Sequence, residues 1–279
     1  MASGESLQLD RMAIEDVGCN PERLAAAIHD QLGLAKGPVP VAAIAAALDI
    51  VEIRTAATRG LEGALVTTEE RSEGIIMVRA GATSQRRRFT VGHELGHFLN
   101  PEHKTTTETG FACTEKDLAT PWPTFPDVGW QRVQEAEASR FAIELLAPRR
   151  LIRPTFLRGT PDLEKVLTLS GELDISREAG ARRWLELHNQ PIALVFGRDG
   201  LVRYVERSPE FPVVTSRKGD RLPPLPGAAD NTGLSHHEEA DWRDWLRGDP
   251  MGDLVIQALH QREGFTITVL SVEMVDADS

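Results

Sequence analysis

The chain has 279 residues, and its 31 lysines and arginines against 42 aspartates and glutamates give a net charge of −11. That balance provides no general attraction to nucleic acid or to an anionic membrane surface. Apolar residues make up 41% of the sequence, which is enough to bury a core. The sequence shows neither a secretory leader nor an apolar run of roughly 18 residues, so we expect a cytoplasmic protein. Cys19 and Cys113, the two cysteines, are expected to be free thiols.

The first predicted elements are two short helices followed by strands. Asn20 is a predicted N-cap before Pro21, and Pro40 is expected to open the second helix. Between residues 50 and 80 the segments VEIRT, GALVTT and GIIMVRA are short and rich in β-branched residues. Gly-rich and charged turns separate them, which predicts a small antiparallel sheet.

A longer helix is predicted over residues 84–99, with Ser84 as its cap. Val91, Leu95 and Phe98 recur at helical spacing and form its predicted core face. Residues 104–129 contain many Thr, Pro and Gly residues without periodicity, so we expect a long loop there.

Helical signals return at Trp130, continue to Ala147 and stop at Pro148. Residues 161–188 predict two short helices that resemble a helix-turn-helix in outline. From about residue 190 the segments PIALVF and LVRYVE flank an Arg-Asp-Gly turn and predict a hairpin, and a further strand is expected in GFTITVLSVEMV.

The strongest chemical signal is the segment HELGH at residues 93–97. On a helix, His93 and His97 stand one turn apart and can grip a single Zn²⁺. Glu94 is displaced around the helix, so it can act as general base toward the attacking water without joining the coordination sphere. This pattern predicts hydrolysis assisted by a metal.

A catalytic zinc needs a third protein ligand, and the helix that begins at Trp130 offers one. At roughly 100° per residue, Glu135 lies about 50° from the centre of the predicted apolar stripe and Glu137 about 110° away. Because a carboxylate buried without a partner is unstable, an inward Glu135 indicates a metal ligand. The alternative is that Glu135 is an ordinary exposed helix residue.

Two blocks of the sequence, RRRFTVGHELGHFLN and EAEASRFAIELLAP, closely resemble the ImmA/IrrE family of metallopeptidases. The resemblance implies His93, His97 and Glu135 as ligands and Glu94 as catalytic base. It extends over about residues 20 to 190. Ser139 departs from the pattern, because the family often has Asn there, and the spacer from His97 to Glu135 is long.

The resemblance also implies a fold and a substrate class. We expect an α+β protein with a zincin-like metallopeptidase core that contains the small antiparallel sheet, a helix-turn-helix-like helical appendage and a C-terminal α/β unit. The expected division is a tail at 1–19, a peptidase domain at 20–150, a helical region at 151–190 and a C-terminal domain at 191–279. The expected reaction is zinc-dependent cleavage of a partner helix-turn-helix repressor, and manganese is an alternative metal.

Five further residues are candidates for supporting roles. Ser139 lies one helical turn from Glu135 and could orient that carboxylate. Arg88 either binds substrate or forms internal salt bridges. Cys113 either approaches the zinc as a fourth ligand that blocks the open position or is a plain thiol. Tyr204, or else His103, could donate a hydrogen bond to the oxyanion.

Two rival functions remain open at this point. In one, the protein is a transcriptional regulator that binds DNA through residues 161–188 and holds a structural metal or none. The acidic charge argues against it, so we expect no direct nucleic-acid partner and no membrane. In the other, the protein binds and sequesters a repressor without cutting it.

Overall fold

The computed structural model describes residues 7–57, 60–107, 110–114 and 129–273. These residues form two compact units, the first containing residues 1–151 and 172–176, the second containing residues 152–171 and 177–279. The division into functional domains expected from the sequence stays a prediction. Within the described part of the chain, none of the helices has the length and apolar character needed to cross a membrane.

The described residues of the first unit form five α-helices and one sheet. Its helices are α1 (Arg11–Glu15), α2 (Pro21–Leu32), α3 (Val41–Ala47), α4 (Ser84–Leu99) and α5 (Trp130–Leu146). Its strands are β1 (Ile50–Ala56), β2 (Gly63–Thr67), β3 (Gly74–Arg79) and β4 (Gly110–Cys113). The α+β class is confirmed.

The sheet of this unit has the order β1-β3-β2-β4. It is mixed and not purely antiparallel, because β1 runs parallel to β3 while β2 is antiparallel to both of its neighbours. Strand β4 lies within the segment expected to be a loop at 104–129. Its four residues are too short for a visible alternation, and the remainder of that expected loop at 115–128 lies outside the described residues.

The helix ends follow local capping rules. Asn20 caps α2, as expected, and accepts a hydrogen bond from the backbone N–H of Arg23. Helix α4 spans the expected residues, but its cap is Thr83, whose hydroxyl accepts from the N–H of Arg86. Ser84 is therefore the first helical residue and not the cap.

Helices α4 and α5 pack along the centre of this unit. The expected core face of α4 is buried, but so is every residue of its second half, from Thr90 to Leu99. The expected apolar stripe of α5 is also buried. A helix that is buried on all sides places even its polar residues in the interior, so His93, Glu94 and His97 need partners there.

The second unit contains α6 (Leu163–Leu173), α7 (Arg177–Leu187) and a five-stranded antiparallel sheet. Its strands are β5 (Ile192–Arg198), β6 (Leu201–Arg207), β7 (Glu238–Glu239), β8 (Asp253–His260) and β9 (Phe265–Glu273). The expected hairpin is β5–β6, and its turn has positive φ at Asp199 and Gly200. Between residues 191 and 273 the helical segments described are short 3₁₀ turns, so the α-helices of this unit precede its sheet in the sequence.

Candidate metal centre

The site is built where α4 and α5 approach each other closely. Glycines on α4 make this possible: a Cβ at Gly96 would lie 3.0 Å from Phe141 Cδ1 and 3.2 Å from the Cα of Ala138. A Cβ at Gly92 would lie 3.4 Å from the Cα of Ala142. The small residues on both helices therefore bring side chains at 93, 97 and 135 within reach of one another.

Three predicted ligands meet at this contact. His93 Nε2 lies 3.1 Å from Glu135 Oε2 and 3.1 Å from His97 Nε2. His97 Nε2 lies 3.5 Å from the same carboxylate oxygen. Both histidines have no exposed surface and Glu135 is only 6% exposed, so the reading of Glu135 as an exposed helix residue is wrong.

These distances fit a metal ion. Zinc bonds of about 2.0–2.1 Å at tetrahedral angles place two ligand atoms about 3.3 Å apart, which is what the three side chains show to within a few tenths of an ångström. Imidazole nitrogen and carboxylate oxygen are also a donor set that zinc accepts. The residues present therefore fit the metal that the sequence pattern implies.

A fourth donor converges on the same point. Cys113 Sγ lies 3.8 Å from His97 Nε2, and the ligand atoms of His93, His97, Cys113 and Glu135 all lie within 4.8 Å of one another. All four residues are buried. The structure thus forms a His-His-Cys-Glu group that could hold a metal ion.

Neighbouring side chains orient both imidazoles. Ser139 Oγ lies 3.2 Å from His93 Nδ1, so its hydroxyl contacts a histidine of the pair, and its expected role toward Glu135 stays a prediction. His97 Nδ1 lies 2.9 Å from His103 Nδ1, and His103 Nε2 lies 2.9 Å from Glu137 Oε2. If the Nδ1–H of His93 donates to Ser139 and the Nδ1–H of His97 donates to His103, the Nε2 atoms of both histidines keep a lone pair for a metal.

The charge states of these groups suit metal binding. Complete burial lowers the pKa of His97 to about 3, so its imidazole is neutral and able to coordinate. Burial also lowers the pKa of His103. Burial raises the pKa of Glu135, but the contacts of its carboxylate with the His93 and His97 imidazoles outweigh that effect and hold the pKa below its ordinary value, so the carboxylate is charged.

Glu94 has no exposed surface and lies on the side of α4 that faces β2. A Cβ placed at Gly63 would lie 2.5 Å from Glu94 Oε1 and 2.4 Å from Thr90 Cγ2. In the strand pairing, Gly63 stands opposite Cys113. The glycine therefore leaves room for the carboxylate of Glu94, next to the strand that carries Cys113.

The structure gives Arg88 and Tyr204 other partners. Arg88 donates to the backbone carbonyls of Val39 and Asp174 and forms an ion pair with the Asp174 carboxylate at 3.4 Å. Its partners are thus internal. Tyr204 belongs to the second unit, where its hydroxyl donates to Glu178 Oε1 and burial, with that carboxylate, raises its pKa. A role for Arg88 or Tyr204 toward substrate stays a prediction.

Sequence reasoning missed two contributors. Phe111 stacks on His97 with ring centroids 4.5 Å apart, and Gly63 provides the space for Glu94. Both belong to short strands whose pairing could not be read from the sequence. A signal existed only for Gly63, since an isolated glycine inside a strand often marks a close approach.

Comparison with known proteins agrees with this site. Residues 48–120 match the IrrE N-terminal-like domain, a peptidase family domain. No curated protein matches the sequence. Among solved structures, a Mycobacterium tuberculosis transcriptional regulator is similar, with 12% identity, a TM-score of 0.48 and coverage of 94% of this chain and 75% of that one.

The matched residues include α4 with its HELGH segment and strand β4, while Glu135 lies beyond them. A likeness at that level of identity and TM-score to the mycobacterial protein adds nothing about function. The chain therefore contains an IrrE N-terminal-like domain at residues 48–120, which supports its assignment to the ImmA/IrrE family.

Proposed function

We propose that this protein is a zinc-dependent endopeptidase whose substrate is a partner helix-turn-helix transcriptional repressor. The observation that carries the proposal is the buried convergence of His93, His97 and Glu135, with their ligand atoms 3.1 to 3.5 Å apart. Buried imidazoles and a carboxylate are costly unless a partner such as a metal satisfies them. The family assignment supports the hydrolytic class, and the resemblance supports the repressor as substrate.

The chain's own residues would divide the work of hydrolysis. His93, His97 and Glu135 would hold the metal, which when bound lowers the pKa of water toward about 7 and polarises the scissile carbonyl. Glu94 would take a proton from the attacking water and return one to the departing amide nitrogen. Ser139 and His103 would keep the two imidazoles in the orientation and tautomer that binding needs.

The first test combines metal content with cleavage. We expect one equivalent of zinc in the purified wild type, measured by elemental analysis, and none in His93→Ala or Glu135→Ala. The repressor encoded nearest to the protein should be cut by the wild type and by neither variant. Glu164→Gln, an exposed helical glutamate in the second unit, is the matched control and should behave as the wild type does. A wild type without metal would refute the proposal.

A second variant separates cleavage from sequestration. Glu94→Gln removes the base but none of the metal ligands, so it should keep its zinc and lose cleavage. Loss of a general base costs about 10²–10⁴-fold in rate. If Glu94→Gln still relieved repression fully, the protein would act by binding the repressor and not by cutting it. Elemental analysis of the same samples would also distinguish zinc from manganese.

A further inference from the structure

Cys113 ends the short strand β4 and has no exposed surface. Side chains two residues apart on a strand share a face, so Phe111 and Cys113 point the same way. Phe111 stacks on the ring of His97 at an interplanar angle of 22°. The face of β4 that carries Cys113 is therefore turned toward the histidines of α4.

The backbone fixes β4 in this position. Gly110 has a φ of 145°, and a Cβ there would lie 1.9 Å from the carbonyl oxygen of Leu65. Only glycine permits that approach of β4 to β2. The antiparallel register that follows places Cys113 opposite Gly63, the residue that leaves room for the carboxylate of Glu94.

The sulfur lies at ligand distance from the cluster. Zinc bonds of about 2.3 Å to sulfur and 2.05 Å to nitrogen, at a tetrahedral angle, separate the two atoms by about 3.6 Å. Cys113 Sγ and His97 Nε2 are 3.8 Å apart. Burial alone would say little, since free cysteines are commonly buried. The informative feature is that the sulfur of Cys113 and the ligand atoms of His93, His97 and Glu135 all lie within 4.8 Å of one another.

We propose that Cys113 is the fourth protein ligand of the metal, so that the resting site is closed. Metal binding would form the sulfur–metal bond and release the thiol proton to solvent, with no change of oxidation state. This inference rests on the metal site of the proposed function and adds its regulation. Sites with four protein ligands are structural in type, whereas catalytic sites keep an open position. Hydrolysis therefore requires Cys113 to leave the metal first.

The test uses the full chain loaded with cobalt or zinc. Cobalt bound to a thiolate shows a sulfur-to-metal charge-transfer band in the near ultraviolet, and zinc X-ray absorption reports a zinc–sulfur distance of about 2.3 Å. We expect both signals in the wild type and in Cys19→Ser, the matched cysteine control. Cys113→Ser and Cys113→Ala should lose both signals, with circular dichroism as the check that they fold.

Competition with a chelator gives a second readout. Because loss of an outer contact already weakens metal binding about 10–100-fold, loss of a direct ligand should weaken it at least tenfold. Zinc-loaded Cys113→Ala should also cleave the repressor faster per bound zinc than the wild type does, since its fourth position is open.

The outcomes separate the two proposals. Stoichiometric metal in the wild type without a sulfur signal, or a signal that survives in Cys113→Ala, would overturn the closed site while leaving the peptidase intact. A sulfur signal in the wild type, with no repressor cleaved even by zinc-loaded Cys113→Ala, would support the closed site and count against the peptidase. A wild type that binds no metal would overturn both.

Discussion

At the scale of single residues, the site depends on two side chains that follow His97 in a hydrogen-bonded series, His103 and then Glu137, here called the relay. The Nδ1 of His97 faces His103, whose Nε2 in turn lies 2.9 Å from Glu137. Glu137 was set aside in the sequence because it lies farther from the apolar stripe than Glu135. In the structure, the carboxylate of Glu137 contacts Nε2 of His103.

We predict that Glu137→Gln keeps one metal equivalent but binds it about 10–100-fold more weakly, as expected when a contact behind a ligand is lost. The neutral amide can still accept a hydrogen bond, but it no longer favours the donating tautomer of His103 as a carboxylate does. Chelator competition measures the change. Glu144→Gln, which breaks an ion pair with Arg140 on the same helix, should leave the affinity unchanged. Equal affinities for both variants would contradict the relay.

The residues of the candidate site differ in how far the sequence could predict them. His93, His97 and Glu135 lie on helices, where a 3.6-residue period shows which side chains share a face and which turn inward. Cys113 and His103 lie outside the predicted helices, and their approach to His97 depends on tertiary contacts. The sequence could therefore name Cys113 and His103 as candidates but not place them.

At the scale of elements, the close packing of α4 on α5 decides whether the ligands meet. Of the two glycines at this contact, Gly96 is the tighter, since its added Cβ would lie 3.0 Å from Phe141 against 3.4 Å from Ala142 at Gly92. In the general H-E-x-x-H pattern, the position of Gly96 is a variable one. The structure gives it a packing role.

We predict that Gly96→Ala separates the helices and lowers metal affinity, with a loss of about 1–3 kcal/mol in the free energy of unfolding from overpacking. Gly92→Ala is the matched control on the same helix. Its methyl group makes only ordinary contacts, and its helix propensity improves by up to about 1 kcal/mol. Urea denaturation and chelator competition measure both effects. If the two variants lost stability and metal affinity equally, the packing argument would be wrong.

A second helix contact carries a pH dependence. His29 on α2 is buried, its Nε2 lies 2.9 Å from the carbonyl oxygen of Leu145, and burial lowers its pKa. The unfolded chain therefore takes up a proton on His29 at a higher pH than the folded chain does. The contribution of neutral His29 to the free energy of unfolding is complete well above a pH of about 6.5, and it is lost as the pH falls below that value.

We predict that His29→Gln, which keeps an N–H donor but cannot titrate, flattens this dependence. Above pH 7 the two proteins should differ by a constant amount. Below about pH 6.5 the wild type should lose more free energy of unfolding than the variant, by no more than about 1.4 kcal/mol per pH unit for one proton. Urea denaturation in a chelator, at several pH values, measures the difference. Parallel curves would contradict it.

The strands show where pattern reading fails. Short β-branched runs predicted β1, β2 and β3, but nothing in such runs specifies whether neighbours are parallel, so the β1–β3 pairing was not predictable. Strand β4 was assigned to a loop because four residues, one of them Gly110, carry too little pattern. Its place is set by its pairing with β2, which is a tertiary interaction.

At the scale of the whole molecule, the acidic balance and the helix pair of the second unit bear on the rival function. Helices α6 and α7 are present, as expected, and cross closely where a Cβ at Gly180 would lie 2.2 Å from Ser170 Oγ. Two arginines of α7 pair with carboxylates of the same unit: Arg182 with Glu206 and Arg183 with Glu186.

We therefore predict that the protein does not shift duplex DNA in a mobility assay at moderate salt. Cations already paired with carboxylates would have to give up those partners before contacting phosphates, and the net charge of −11 opposes the approach. A complex whose affinity falls steeply with added salt would contradict this and favour the regulator. The basic partner repressor incubated with the same DNA is the positive control.

The two units should also respond differently to loss of the metal. The ligands come from α4, α5 and β4 of the first unit, whereas the second unit has its own buried core around Trp245 and Ile256. A metal that binds only the folded site adds about 2.7 kcal/mol at a concentration of 100 times its dissociation constant. Chelation should therefore lower hydrogen-exchange protection in α4 and α5 while leaving β5 and β9 unchanged.

His93→Ala should show the low protection with or without chelator, because it has no metal to lose. Equal loss of protection in both units would mean that the metal stabilises the whole chain as one cooperative structure, and not the first unit alone.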